Sequence, residues 1–154
     1  MSMNCEIAQG IGLVLDDSVI SRIDDEKLTK ALKNQLSFDY EDVFYELYPE
    51  GDKDKDFFHK EDIGLLLYGV TYNYIAEIFE ETMQQRHVLT YAHIEGDDVL
   101  FIPPVFPWQV KEDDPKTEEE AIDLICQAVM NLTNMTKEEV KEKIDTDLYL
   151  ADFS

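Results

Sequence analysis

The chain has 154 residues, with 35 Asp and Glu against 13 Lys and Arg, a formal net charge of −22 at pH 7. Charge of that size repels nucleic acid and anionic lipid and draws in basic surfaces from a distance, which argues against direct nucleic-acid binding and against a membrane-surface role. Hydrophobic residues still make up 44%, including eight Phe, eight Tyr and one Trp, enough for the core of one compact acidic domain over 1–154 and unlike a disordered acidic tail.

In chain order, Ile7 to Leu15 reads as a strand with an apolar pattern on both faces, interrupted by Gly10 and Gly12. The Gly-x-Gly is not a dinucleotide fingerprint, because Leu15 stands where the third glycine belongs; the glycines read instead as positions of close approach by a neighbouring element. Asp16 or Asp17 caps a short helix carrying Val19, Ile20 and Ile23, and Asp24 or Asp25 caps a second with Leu28, Ala31, Leu32 and Leu36 on one face. Tyr40, Val43, Phe44, Leu47 and Tyr48 follow the helical period until Pro49 and Gly51 end it. Gly51 to Asp62 is a loop. Ile63 to Tyr74 fits a buried strand or the start of a helix equally well.

Tyr74, Ile75, Ile78, Phe79 and Met83 then mark an amphipathic helix to about Gln85, with Glu77, Glu80 and Glu81 on its exposed face. Val88 to Ile94 and Asp98 to Ile102, joined through Glu95-Gly96-Asp97, read as a β-hairpin near 88–102. Pro103, Pro104 and Pro107 break any continuation, amid Phe101, Phe106 and Trp108. Lys111 to Lys116 is a solvated acidic loop. Thr117 with Glu120 and Thr136 with Glu139 form capping boxes opening two helices, the first with Ala121, Leu124, Ile125, Ala128, Val129 and Leu132 inward, the second with Val140 and Ile144. The sum is an α+β fold: five or six helices on a small sheet of three or four strands.

No residue constellation carries recognisable chemistry, so the expectation is a non-enzyme without cofactor. Asp52, Asp54 and Asp56 match the first three positions of an EF-hand, but Phe57 and Ile63 stand where the turn glycine and the bidentate carboxylate are needed. His87 and His93 would share a strand face, without a helical ligand pair to complete a metal site. Cys5 and Cys126 fit no metal spacing and read as reduced thiols of a cytoplasmic protein. No secretory leader, no ~20-residue apolar span, no P-loop and no basic cluster is present; the sequons at Asn131 and Asn134 have no meaning without secretion.

Small, acidic and free of motifs, the chain resembles phage-encoded inhibitors and bacterial immunity proteins as broad classes, a likeness of composition that transfers no residues. The reading is a non-enzymatic acidic binding protein, of the DNA-mimic or immunity-protein type, that engages and inhibits a basic nucleic-acid-handling protein. Its expected contacts are Glu77, Glu80 and Glu81, then Glu112, Asp113 and Asp114, then Glu118 and Glu119. The alternative is a small phage or bacterial accessory subunit, in one version a homo-oligomer, that uses an aromatic patch at Phe106 and Trp108.

Overall fold

The computed structural model describes residues 5–34, 39–62, 76, 78–80, 88–104 and 115–153. Among these the chain runs β1 (Cys5–Val14), α1 (Asp17–Ile20), α2 (Asp25–Lys33), α3 (Tyr40–Leu47), a 3₁₀ turn (Lys60–Asp62), β2 (Thr90–Ile94), β3 (Asp97–Ile102), α4 (Glu118–Leu132), α5 (Lys137–Lys143) and β4 (Asp145–Phe153). Five α-helices pack on a four-stranded antiparallel sheet of order β2-β3-β1-β4. Ala76, Ile78 and Phe79 are also helical and buried, as the sequence pattern requires. The expected stretch at 63–74 lies outside the described residues. No described helix is long and apolar enough to cross a membrane.

Each helix starts where an oxygen-bearing side chain caps it. Asp16, Asp24 and Asp39 accept main-chain N–H groups from Ser18, Lys27 and Asp42, and Thr136 with Glu139 closes a complete capping box on α5. At α4 the reciprocal half is displaced by one residue: Thr117 accepts from Glu120 N–H at 3.1 Å, while the Glu120 carboxylate takes the N–H of Lys116 at 2.8 Å. The hairpin turn is Glu95-Gly96, with φ of 51° and 84°, the doubly positive form that matches strand twist.

The sheet carries apolar side chains on both faces. One face, with Leu13, Tyr91, Leu100 and Ile102, joins the helices in the main core around Leu28, Leu32, Phe44, Phe58, Ile125 and Val129. The other holds a second cluster drawn wholly from the strands: Ala8, Ile94, Val99, Phe101 and Leu148. β2 and β4 are opposite edges of the sheet, yet their Cα atoms come within 8 Å of one another. The sheet therefore coils until the β1–β4 ribbon lies over the back of the hairpin. Gly10, at φ +138°, sits where β1 leaves β3, and a bulge in β4 between its pairings with Gly10 and Gly12 adds to the bend.

The reading of Gly10 and Gly12 as close-approach positions is borne out. A Cβ on Gly10 would lie 2.0 Å from the Ile102 carbonyl oxygen, and one on Gly12 2.3 Å from that of Leu100.

A clasp between the two halves of the helical layer contributes a pH-dependent share of stability in acid. Arg22 reaches Glu139 at 2.6 and 3.2 Å and Asn134 Oδ1 at 2.6 Å, while Asp24 N–H donates to Leu132 O. The guanidinium, followed by the cap hydrogen bonds at Thr136, lowers the Glu139 carboxyl from about 4.5 to about 2. A carboxylate whose pKa is depressed by folding stabilises the fold above its unfolded value and loses that contribution as pH falls toward the folded one. Glu139→Gln, which keeps the cap geometry, is therefore expected to lower the urea midpoint at pH 7. The difference from wild type should shrink steadily between about pH 4.5 and about pH 2. Parallel midpoints across that window would show the clasp to be inert.

Candidate anionic interface

α3 and the loop after it form a densely acidic surface, with Asp39, Glu41, Asp42, Glu46, Asp52, Asp54 and Asp56 all exposed. The helix turns Tyr40, Val43, Phe44, Leu47 and Tyr48 inward, where Phe44 is buried against the rings of Tyr40, Tyr48 and Phe58. A period of 3.6 then leaves Glu41, Asp42, Tyr45 and Glu46 outward, beside the capping Asp39, and all five are exposed. The carboxyl of Asp42 is held above its usual range, first by its hydrogen bond to the Asp39 carboxyl, then by the Asp39 charge, with Glu41 and Glu46 adding to it. Like charges on this helix are close enough to resist one another's ionisation.

The loop extends this surface. Asp52 Oδ1 accepts the N–H of Asp54 at 2.9 Å, and Asp56 Oδ2 accepts that of Asp52 at 2.8 Å. The carboxylates singled out for their EF-hand spacing thus close a turn upon themselves. Lys53 reaches back to Glu41 at 2.9 Å and ties the loop to α3, and Asp54 lies near enough to Tyr40 to raise its phenol, after burial has done most of that. Phe57 is 45% exposed and Tyr45 37%, leaving two aromatic rings at the border of the acidic surface.

Five described cations outside the acidic loop are held by specific contacts of their own. Arg22 is in its clasp; Lys27 donates to the carbonyls of Met130 and Thr133 at the end of α4; Lys60 donates to Ser21 O; Lys137 pairs with Asp123 at 2.9 Å; Lys33 lies over the Tyr40 ring. Among the described residues, Lys or Arg form ion pairs only with Glu139, Glu41 and Asp123. The exposed carboxylates of Asp39, Asp42, Glu46, Asp52, Asp54 and Asp56 carry no Lys or Arg ion pair among the described residues.

Of the contacts expected from sequence, Glu118 and Glu119 are exposed on the first turn of α4. They line a cleft of about 390 Å³ with Ile122, Asp123, Lys141, Ile144 and Thr146. Glu80 requires a correction. It is 2% exposed, and its Oε2 accepts the N–H of Val88 at 3.1 Å, so the carboxylate joins the helix to the approach of the hairpin and cannot meet a partner. Glu77, Glu81, Glu112, Asp113, Asp114, Phe106 and Trp108 lie outside the described residues, as does His87. His93 is engaged with the cross-strand Asp98 at 2.8 Å, and Tyr91 donates to the same oxygen at 2.5 Å. Among the described residues no three His, Cys, Asp or Glu side chains converge on a position for a metal ion. Cys126 is buried, which raises its thiol pKa and leaves it in the core.

The α3 surface was available to sequence reasoning through the spacing of Asp39, Asp42 and Glu46, the complement of the apolar stripe. An arrangement of this kind can accept charge-assisted hydrogen bonds from Lys and Arg and offer ring faces to guanidinium groups. No family model matches the chain, and no curated protein and no solved structure matches it either.

Proposed function

We propose that this chain is a non-enzymatic acidic binding protein of the cytoplasm that engages, and by occupancy inhibits, a basic nucleic-acid-handling protein. The observation that carries the reading is the row of exposed carboxylates Asp39, Glu41, Asp42 and Glu46 along the outer side of α3, close enough that Asp39 raises the Asp42 carboxyl. A basic partner relieves that repulsion on docking, so the same charges that strain the free surface favour the complex. Duplex DNA carries about one negative charge per ~1.7 Å of axis, and a row of carboxylates competes for the same cationic groove. Such complementarity acts mainly on association rate and partner choice.

The immobilised chain, exposed to a cell lysate at ~0.15 M salt, should retain a basic protein that leaves at ~1 M salt, where screening is nearly complete. Duplex DNA should displace it. The double variant Asp42→Asn, Glu46→Gln keeps every α3 packing contact and removes two charges; its association with the captured protein should slow about tenfold. Retention of duplex DNA itself, a partner indifferent to salt and DNA, or unchanged association of the double variant would each overturn the reading.

A further inference from the structure

We propose that the cleft between the start of α4 and the α5–β4 junction receives one arginine or lysine side chain of the basic partner. The inference rests on the functional reading above and specifies one contact within it. The hollow measures about 390 Å³, toward the lower end of ligand-sized sites, which run from about 300 to 1,000 Å³.

Its composition is divided. Ile122 and Ile144 are half-buried, packed at their bases on the main core, and still face the cleft with apolar surface. Glu118 and Glu119 stand on the rim, exposed and without a Lys or Arg partner among the described residues. Asp123 is already neutralised by Lys137. Lys141 is the only cation among the lining residues.

Acidic residues at a helix start are favoured by the dipole, which accounts for the glutamates and not for the apolar hollow beside them. A ligand that satisfies both has an alkyl stem and a cationic end. Lys and Arg side chains are built that way, laying methylenes on apolar surface while the head group stays at a polar edge. The stem would lie along Ile122 and Ile144. The head would meet Glu118 and Glu119 through charge-assisted bonds, and Lys141 would repel it if it entered the other way round. An anionic ligand would meet the glutamates with like charge, and a neutral donor would make the weaker, uncharged form of the same hydrogen bonds.

The probe is N-acetyl-arginine amide, a single positive charge, titrated into the full chain and followed by backbone amide NMR at ~0.15 M salt. Saturable shifts should concentrate at Ile122, Ile144 and Thr146. Guanidinium ion (head without stem) and N-acetyl-norleucine amide (stem without head) should each bind about tenfold more weakly. Glu118→Gln with Glu119→Gln should also weaken the arginine probe about tenfold, with unchanged far-UV circular dichroism, while Asp42→Asn with Glu46→Gln should leave it unaltered. Shifts spread evenly over every carboxylate surface, equal binding of the norleucine derivative, or no saturable shift would overturn the proposal. Those outcomes leave salt-sensitive capture through α3 untouched, and loss of capture with cleft binding intact would instead sink the functional reading, leaving a cation-accepting cleft without its basic partner.

Discussion

Gly12→Ala is expected to destabilise the sheet by several times more than Gly96→Ala. Gly12 stands directly opposite Phe101 in the β1–β3 register. A methyl group there would lie 2.3 Å from the Leu100 carbonyl oxygen, 2.6 Å from Phe101 Cβ and 2.8 Å from Phe101 Cα. Two of these three atoms are backbone, and β3 is buried on both faces, with Leu100 in one core and Phe101 in the other. The strand has nowhere to retreat. Overpacking in a tight core commonly costs about 1–3 kcal/mol, and this clash falls at the upper end or beyond, against a total stability of about 5–15 kcal/mol. Gly96→Ala is the control. Its φ of 84° is strained for alanine, but nothing lies within 4 Å of the added methyl, so the cost should stay near 1–2 kcal/mol. Urea unfolding followed by far-UV circular dichroism separates the two. A Gly12→Ala midpoint equal to that of Gly96→Ala would mean that β1 and β3 do not meet in this register.

Phe58→Ala should be the most damaging side-chain truncation outside the sheet. Phe58 is fully buried and makes edge contacts with Tyr40, Phe44 and Tyr48 at centroid distances of 5.3, 5.6 and 5.8 Å. Its N–H donates to Thr29 Oγ1 at 2.7 Å, and two residues on, Lys60 N–H donates to Asp25 Oδ1 at 2.7 Å. The ring packs the acidic loop against α3 beside the Lys53–Glu41 pair, while the two N–H bonds hold it to α2. Truncation of a buried Phe costs about 3–5 kcal/mol, transfer and cavity together. Phe58→Leu, which refills most of the volume, should cost less than about 1.5 kcal/mol. The alanine variant should also slow association with a basic partner, since the loop carrying Asp52, Asp54 and Asp56 loses its anchor. Equal midpoints for wild type and Phe58→Ala would place the ring outside the core.

What the sequence made legible was what a few neighbouring residues decide among themselves. The inward stripe of α3, the Glu95-Gly96 turn and the Thr136–Glu139 cap each rest on local chemistry, and each appears as expected. β4 did not announce itself. Asp145, Asp147 and Asp152 lower its strand propensity, and what makes it a strand is β1, at the far end of the chain, through pairs such as Ala8 with Leu150. Glu80 misleads for a related reason. Its helical phase points it outward, and a contact from the approach to the hairpin, the Val88 N–H, makes the carboxylate an internal acceptor. For the candidate interface, surface position at Glu118 and Glu119 followed from their place in a capped first turn. The crowding on α3 was equally open to inspection, but a reading that follows apolar stripes inward passes over the face it leaves behind.

The placement of β1 in the interior of the sheet has a consequence for synthesis on the ribosome. Both strands that flank it among the described residues, β3 and β4, follow it in the chain, so β1 waits as an unpaired ribbon until they are made. Nascent ribbons of that kind adhere to one another. A chain with 35 acidic against 13 basic side chains keeps its unfinished copies apart by like-charge repulsion until the closing strand arrives.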